Sequence, residues 1–160
     1  MTDISPNPHI ADFLKRNHIG VLATADKKTA SPHAAAVYYA IDSQLNIYFL
    51  TKDKTAKSRN LDMNPSAAMA IYEADAQRTA QISGIVNRVD SQEVMERAKP
   101  LMSLFSSQTA GTAETPISKL AAGEYVLYRL VPQFIRLGEY KYGVHNDLFD
   151  IATPAEESLE

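Results

Sequence analysis

Cysteine and tryptophan are both absent from this 160-residue chain. Without cysteine there is no disulfide, no thiol nucleophile and no thiolate metal ligand. The same absence suits a reducing compartment. No apolar run approaches the roughly 20 residues that a membrane-spanning helix needs. The opening residues, Met1-Thr2-Asp3-Ile4-Ser5-Pro6, carry neither the basic nor the apolar part of a secretory signal, so a cytoplasmic protein is expected. Positive charge is in short supply as well: the net charge is −3 and the pI near 5.8, which argues against a nucleic-acid-binding face. Of the four histidines, none is spaced i, i+3 or i+4 from another, so no local helical ligand pair and no metal is expected.

What remains is an ordinary globular composition, 45% apolar and 22% charged, in a length that suits one domain with a full core. The most informative stretch is Thr51-Lys52-Asp53-Lys54-Thr55-Ala56-Lys57-Ser58-Arg59-Asn60-Leu61. Lys52, Lys54, Lys57 and Arg59 place four of the chain's 16 basic residues there. The stretch follows a strand-like run, Leu45–Leu50, and opens a helical pattern that stops at Asn64-Pro65. A helix start offers unpaired N–H groups and the positive end of the dipole, which together attract a phosphate. Thr51, Thr55 and Ser58 add hydroxyl donors at the same place. A solvated basic turn fits the same residues equally well.

Residues 8–17 carry Ile10, Phe13 and Leu14 at helical spacing, with His18 and Gly20 marking the exit. Three strands are expected next, at Ile19–Ala25, His33–Ile41 and Leu45–Thr51, joined by turns short enough to require antiparallel hairpins. After the basic helix, Ala67–Tyr72 and Thr79–Val89 read as another hairpin. Asp90 with Glu93 opens a helix bearing Val94, Ala98, Leu101, Met102 and Phe105 on one face, broken near Pro100. Residues 106–116 read as a loop, and Glu124–Leu130 with Gln133–Leu137 as a strand pair or as one strand interrupted at Pro132. The expected domain covers residues 1–145. Residues 146–160, acidic and without Lys or Arg, are expected to be a flexible tail dispensable for fold and cofactor binding. The fold class is α+β, mainly β, a small antiparallel barrel whose closure removes exposed edges.

The order of these segments resembles the pyridoxamine 5′-phosphate oxidase-like flavoproteins, which have a six-stranded antiparallel split β-barrel with peripheral helices. The matching pieces are Ile19-Gly20-Val21-Leu22-Ala23-Thr24, Ser31-Pro32-His33-Ala34-Ala35-Ala36-Val37-Tyr38-Tyr39, and Ile47-Tyr48-Phe49-Leu50-Thr51. Lys57-Ser58-Arg59-Asn60-Leu61, Asn64-Pro65 and Gln81-Ile82-Ser83-Gly84-Ile85-Val86 continue the match, which spans about residues 8–138.

That resemblance implies FMN in a groove between two protomers of a homodimer. It implies Lys57 and Thr55 at the phosphate, with Ala56 where many relatives carry a basic residue and Ser58 alongside. It implies a ring lying against the second and third strands. Ala34, Ala35 and Ala36 leave room there for close approach to the main chain, and Leu50 and Thr51 end the third strand at contacting positions. The three alanines can instead face large core neighbours such as Tyr48 and Phe49. His33 stands where some relatives carry a flavin-contacting Arg. The family's flavin-facing Gln aligns with Thr79, and Gln81 shares its face; both also fit a solvated rim.

True pyridoxamine phosphate oxidases end in a Trp-bearing strand and an Arg-x-His motif. Here the end reads Phe134-Ile135-Arg136-Leu137-Gly138-Glu139-Tyr140-Lys141-Tyr142-Gly143, so a general FMN-dependent oxidoreductase is expected rather than one specific for vitamin B6. Arg136 and Lys141 are left to face an anionic substrate across the dimer. No general acid or base stands out. The deazaflavin F420, haem with His145 as axial ligand, and a non-catalytic flavin-binding role are the alternatives.

Overall fold

The computed structural model describes residues 6–89, 125–141 and 146–150. Its first helix, α1 (Pro8–Arg16), begins where Asn7 accepts the His9 N–H at 3.0 Å and proline takes the first helical position. Ile10, Phe13 and Leu14 form its buried face. The chain continues through β1 (Ile19–Ala25), β2 (Pro32–Ile41), β3 (Ile47–Lys52), α2 (Ala56–Met63), β4 (Ser66–Glu73), β5 (Arg78–Arg88), β6 (Tyr125–Glu139) and β7 (Asn146–Asp150). No helix among the described residues is long and apolar enough to cross a membrane.

Every strand pairing is antiparallel, in the order β3-β2-β1-β4-β5-β6-β7, and a further β3–β6 pairing closes the first six into a barrel. Closure satisfies the backbone groups that an open edge would leave to solvent. Alternation along the strands fills the interior with Leu22, Tyr39, Ile47, Phe49, Met69, Ile71, Ile82, Leu130 and Ile135, all nearly inaccessible. The Phe49 and Tyr128 rings stack inside at 5.5 Å. Tyr39 reaches out of the barrel to donate its hydroxyl to the Leu14 carbonyl at 3.0 Å, fastening α1.

Gly84 answers a specific close approach. The β5–β6 register shifts between Ser83 and Gly84, so that Gln133 is extra on β6 and Pro132 comes to face Gly84. A Cβ at Gly84 would run into the Val131 carbonyl oxygen and lie 2.9 Å from Pro132 Cα. The bulge also explains how proline enters a strand interior.

Of the two readings of the segment around Pro132, a strand pair or one interrupted strand, the second holds: β6 is a single strand whose bulge absorbs the proline without ending the ladder. One expectation about the C-terminal part changes. Residues 146–150, expected in a flexible tail, form β7 against the outer half of β6, from Glu139↔Asn146 to Ile135↔Asp150. The unit therefore extends past residue 145. An ion pair adds to the backbone ladder there: the Arg136 guanidinium lies 2.8 Å from Asp147 Oδ1. The helix expected from Asp90, the loop at 106–116 and the tail beyond Asp150 lie outside the described residues.

Candidate cofactor-binding site

The start of α2 is built from hydroxyls. Thr55 is the N-cap; its Oγ1 accepts the Ser58 N–H at 3.3 Å and donates to the Lys52 carbonyl at 3.1 Å. Thr51 Oγ1 lies 3.3 Å from Thr55 Oγ1, and the Ser58 hydroxyl donates to the Thr55 carbonyl at 3.0 Å. Thr51 and Ser58 are both buried, Ser58 completely. These three hydroxyls therefore shape the turn rather than project from it. Ala56 and Lys57, at the first two helical positions, present amides with no partner inside the helix. The Lys57 side chain is half-buried and makes no ion pair or hydrogen bond among the described residues. Arg59 turns back instead, its Nη1 donating to the Lys54 carbonyl at 2.6 Å, which braces the turn that Lys54 makes at φ 62°.

Asn60 fixes the helix on the barrel by donating its Nδ2 to Thr24 Oγ1 at 3.1 Å. Thr24 pairs across the sheet with His33, so the start of β2 and the body of α2 meet at the same end of the barrel. His33 Nδ1 is buried there and has no hydrogen-bond partner among the described residues. A buried ring nitrogen without a partner leaves a polar position for a ligand to satisfy.

Away from α2, alternation turns Ala34 and Ala36 to the outer face of β2, while Ala35 points inward opposite Leu22. Two rows of small residues cross the sheet: Ala36, Val21 and Ala70, then Ala34, Ala23 and Ala68. The alanines do not face Tyr48 or Phe49, which pair with Ala40 and Tyr39 further along β2. The rows continue onto β5, Gln81 beside Ala70 and Ser83 beside Ala68, with Thr79 beside Tyr72. Ile19, Val21, Tyr38 and Tyr72 are exposed on this surface at 54%, 46%, 49% and 69%, so its β1, β2 and β4 part is small and apolar while β5 adds Thr79, Gln81 and Ser83 along one side. Leu50 is half-buried against Leu127 on the β3–β6 side of the barrel.

The structure thus brings Thr51, Thr55, Lys57, Ser58 and His33 to one end of the barrel and sets Ala34, Ala36, Thr79 and Gln81 on one outer face. Arg136 is less available than its position suggests: it bonds Gln81 Oε1 at 3.3 Å as well as Asp147, whose carboxylate holds its guanidinium pKa above the ordinary value. His9 and His18 belong to the ends of α1, and His145 lies outside the described residues. Sequence reasoning missed Asn60, Thr24 and Arg88. The last ties α2 to the barrel through Asp53 and Asp62, and its hydrogen bond holds the Asp53 carboxyl below its usual range. No local pattern links positions 53, 62 and 88.

Compared with known proteins, residues 6–133 match the model of the family described as pyridoxamine 5′-phosphate oxidase. Among solved structures, a pyridoxamine 5′-phosphate oxidase-related, FMN-binding protein from Nostoc punctiforme PCC 73102 is 16% identical over 91% of this chain and 92% of its own, with a TM-score of 0.64. An F420 reductase is 23% identical over 78% of this chain and 93% of its own, TM-score 0.61. A haem-binding protein from Mycobacterium smegmatis is 22% identical over 82% of this chain and 52% of its own, TM-score 0.59. These likenesses establish a shared fold. No curated protein matches the sequence.

Proposed function

The chain belongs to the pyridoxamine 5′-phosphate oxidase family, and on that footing we propose that it binds FMN and acts as an oxidoreductase passing hydride to or from a small substrate. The observation that carries the reading is the start of α2: a half-buried Lys57 with no hydrogen bond or ion pair among the described residues, beside two amides with no partner inside the helix. An ammonium and a helix N-terminus together suit a terminal phosphate monoester. His33 Nδ1 at the same end, buried and without a hydrogen-bond partner among the described residues, and an outer face of small side chains over which a flat ring can approach the main chain, are the further features that fit FMN. Bound there, the flavin supplies a two-electron centre at N5, and the protein's part is to hold and orient it.

The apolar outer face also calls for a cover, and a second copy of this chain completing the site as a homodimer is the reading we favour. Sedimentation at micromolar concentration that finds only monomer refutes the dimer.

F420 and haem occur among proteins of this fold. F420's acidic tail suits the same basic turn, whereas haem needs an axial ligand. The absorption spectrum of the purified protein separates the three: flavin bands support FMN, a Soret band supports haem, and a deazaflavin spectrum supports F420. Steady-state turnover with NAD(P)H and oxygen then distinguishes an enzyme from a flavin-binding protein without catalysis.

A further inference from the structure

One guanidinium spans both ends of α2. Arg88, the last residue of β5, donates from Nε and Nη2 to the two oxygens of Asp62, each at 3.0 Å, and from Nη2 to Asp53 Oδ1 at 2.9 Å. Asp53 lies in the turn that precedes α2, and Asp62 in its last turn. Tyr128 completes the group: its hydroxyl donates to Asp62 Oδ1 at 3.2 Å, and its ring centroid lies 5.7 Å from Arg88 Cζ. Two carboxylates therefore share a single cation. Asp62 stands at the helix end where a negative charge opposes the dipole, and Asp53 stands two residues before the Thr55 cap. Uncompensated, both would add negative potential at the place where Lys57 and the first amides are open to an anion. The paired geometry is specific to arginine, since lysine cannot present two parallel N–H donors.

We propose that Arg88 is a positioning residue for the anion site: it locks the turn at 52–55 onto α2 and offsets one of the two negative charges of Asp53 and Asp62, which lowers the negative potential at the helix start where a phosphate monoester would bind. The inference rests on the FMN reading of that site. The strong hydrogen bond to Asp62 holds the Arg88 guanidinium firmly protonated, so its charge is constant over the pH range of any binding assay.

The test is titration of FMN and of riboflavin into the parent protein, Arg88→Gln, Arg88→Lys, and Arg88→Gln combined with Asp53→Asn. Arg88→Gln should weaken FMN on the order of tenfold, as an uncompensated unit charge near a protein surface does, and riboflavin far less. Adding Asp53→Asn should recover much of the loss, and added salt should narrow it. Arg88→Lys should fall between parent and Arg88→Gln, and it carries the test if Arg88→Gln does not fold. Unchanged FMN affinity, equal loss for both ligands, or no recovery with Asp53→Asn overturns the inference while the FMN reading stands. A parent protein that binds neither ligand overturns the FMN reading and the inference with it.

Discussion

Replacing Lys57 with alanine is the sharpest probe of the site, because the structure separates its effect on binding from its effect on folding. The side chain makes no hydrogen bond or ion pair among the described residues, and alanine is the best helix former, so folding stability should move by no more than about 0.5 kcal/mol. A hydrogen bond to a charged group contributes about 1.5–3 kcal/mol. FMN binding should therefore weaken by about one to two decades, each decade corresponding to about 1.4 kcal/mol. Riboflavin lacks the phosphate and should be nearly indifferent to the change. Raising ionic strength should reduce FMN affinity more in the parent than in the variant, because the parent has the extra charge contact to screen. Fluorescence titration of both ligands at two salt concentrations gives all four comparisons. If Lys57→Ala binds FMN as tightly as the parent, the ammonium is not at the phosphate, and Lys52 and Lys54 become the residues to test.

Gly84→Ala should destabilise the fold by about 3 kcal/mol, since the new methyl meets the rigid backbone of Val131 and Pro132; an unchanged thermal midpoint would refute the packing argument. Truncation after Asn146 removes most of β7 and takes Asp147 from Arg136, so the melting temperature should fall, contrary to what a dispensable tail would show. Burial raises the Tyr128 phenol to about 12 from an ordinary 10.0, and burial pushes Tyr39 up as well. The folded state thus holds these protons more tightly than the unfolded chain, and the stability they contribute is fully present below pH 10 and lost as pH rises toward 12. Urea midpoints that stay flat across that interval would contradict the assignment.

Most strands were legible because their signals are local. Ile19–Ala25 alternates between exposed and buried positions up to Thr24, and Asp26 builds the following turn from its own side chain, accepting from the Lys28 and Thr29 amides at 2.8 Å each. β7 carried no such signal. Its five residues, Asn146 to Asp150, are held by pairing to a strand that begins 21 positions earlier and by an ion pair. Pro132 left one strand or two open for a related reason: proline is read as a strand breaker, and the bulge that accommodates it depends on Gly84, far away in sequence.

The site divides along the same line. Lys57 could be placed because a basic run between a strand and a helix puts its charge at the helix start whatever the rest of the chain does. The burial of the Ser58 hydroxyl could not be read, since the face of α2 that meets the barrel is set by Leu61 packing inward and by Asn60 reaching Thr24. The alanines of β2 lie between these cases. Period-two alternation predicts that Ala34 and Ala36 share a face, but only the pairing with β1 and β4 shows them lying in rows with Ala23, Val21, Ala68 and Ala70. A strand of small residues is a weak β-former on its own, and here it is stabilised from its inner face, where Val37, Tyr39 and Ile41 enter the core. The outer face is thereby free to stay smooth. Close approach to its main chain, by a flat ring or by a second copy of the chain, then requires no rearrangement of the barrel.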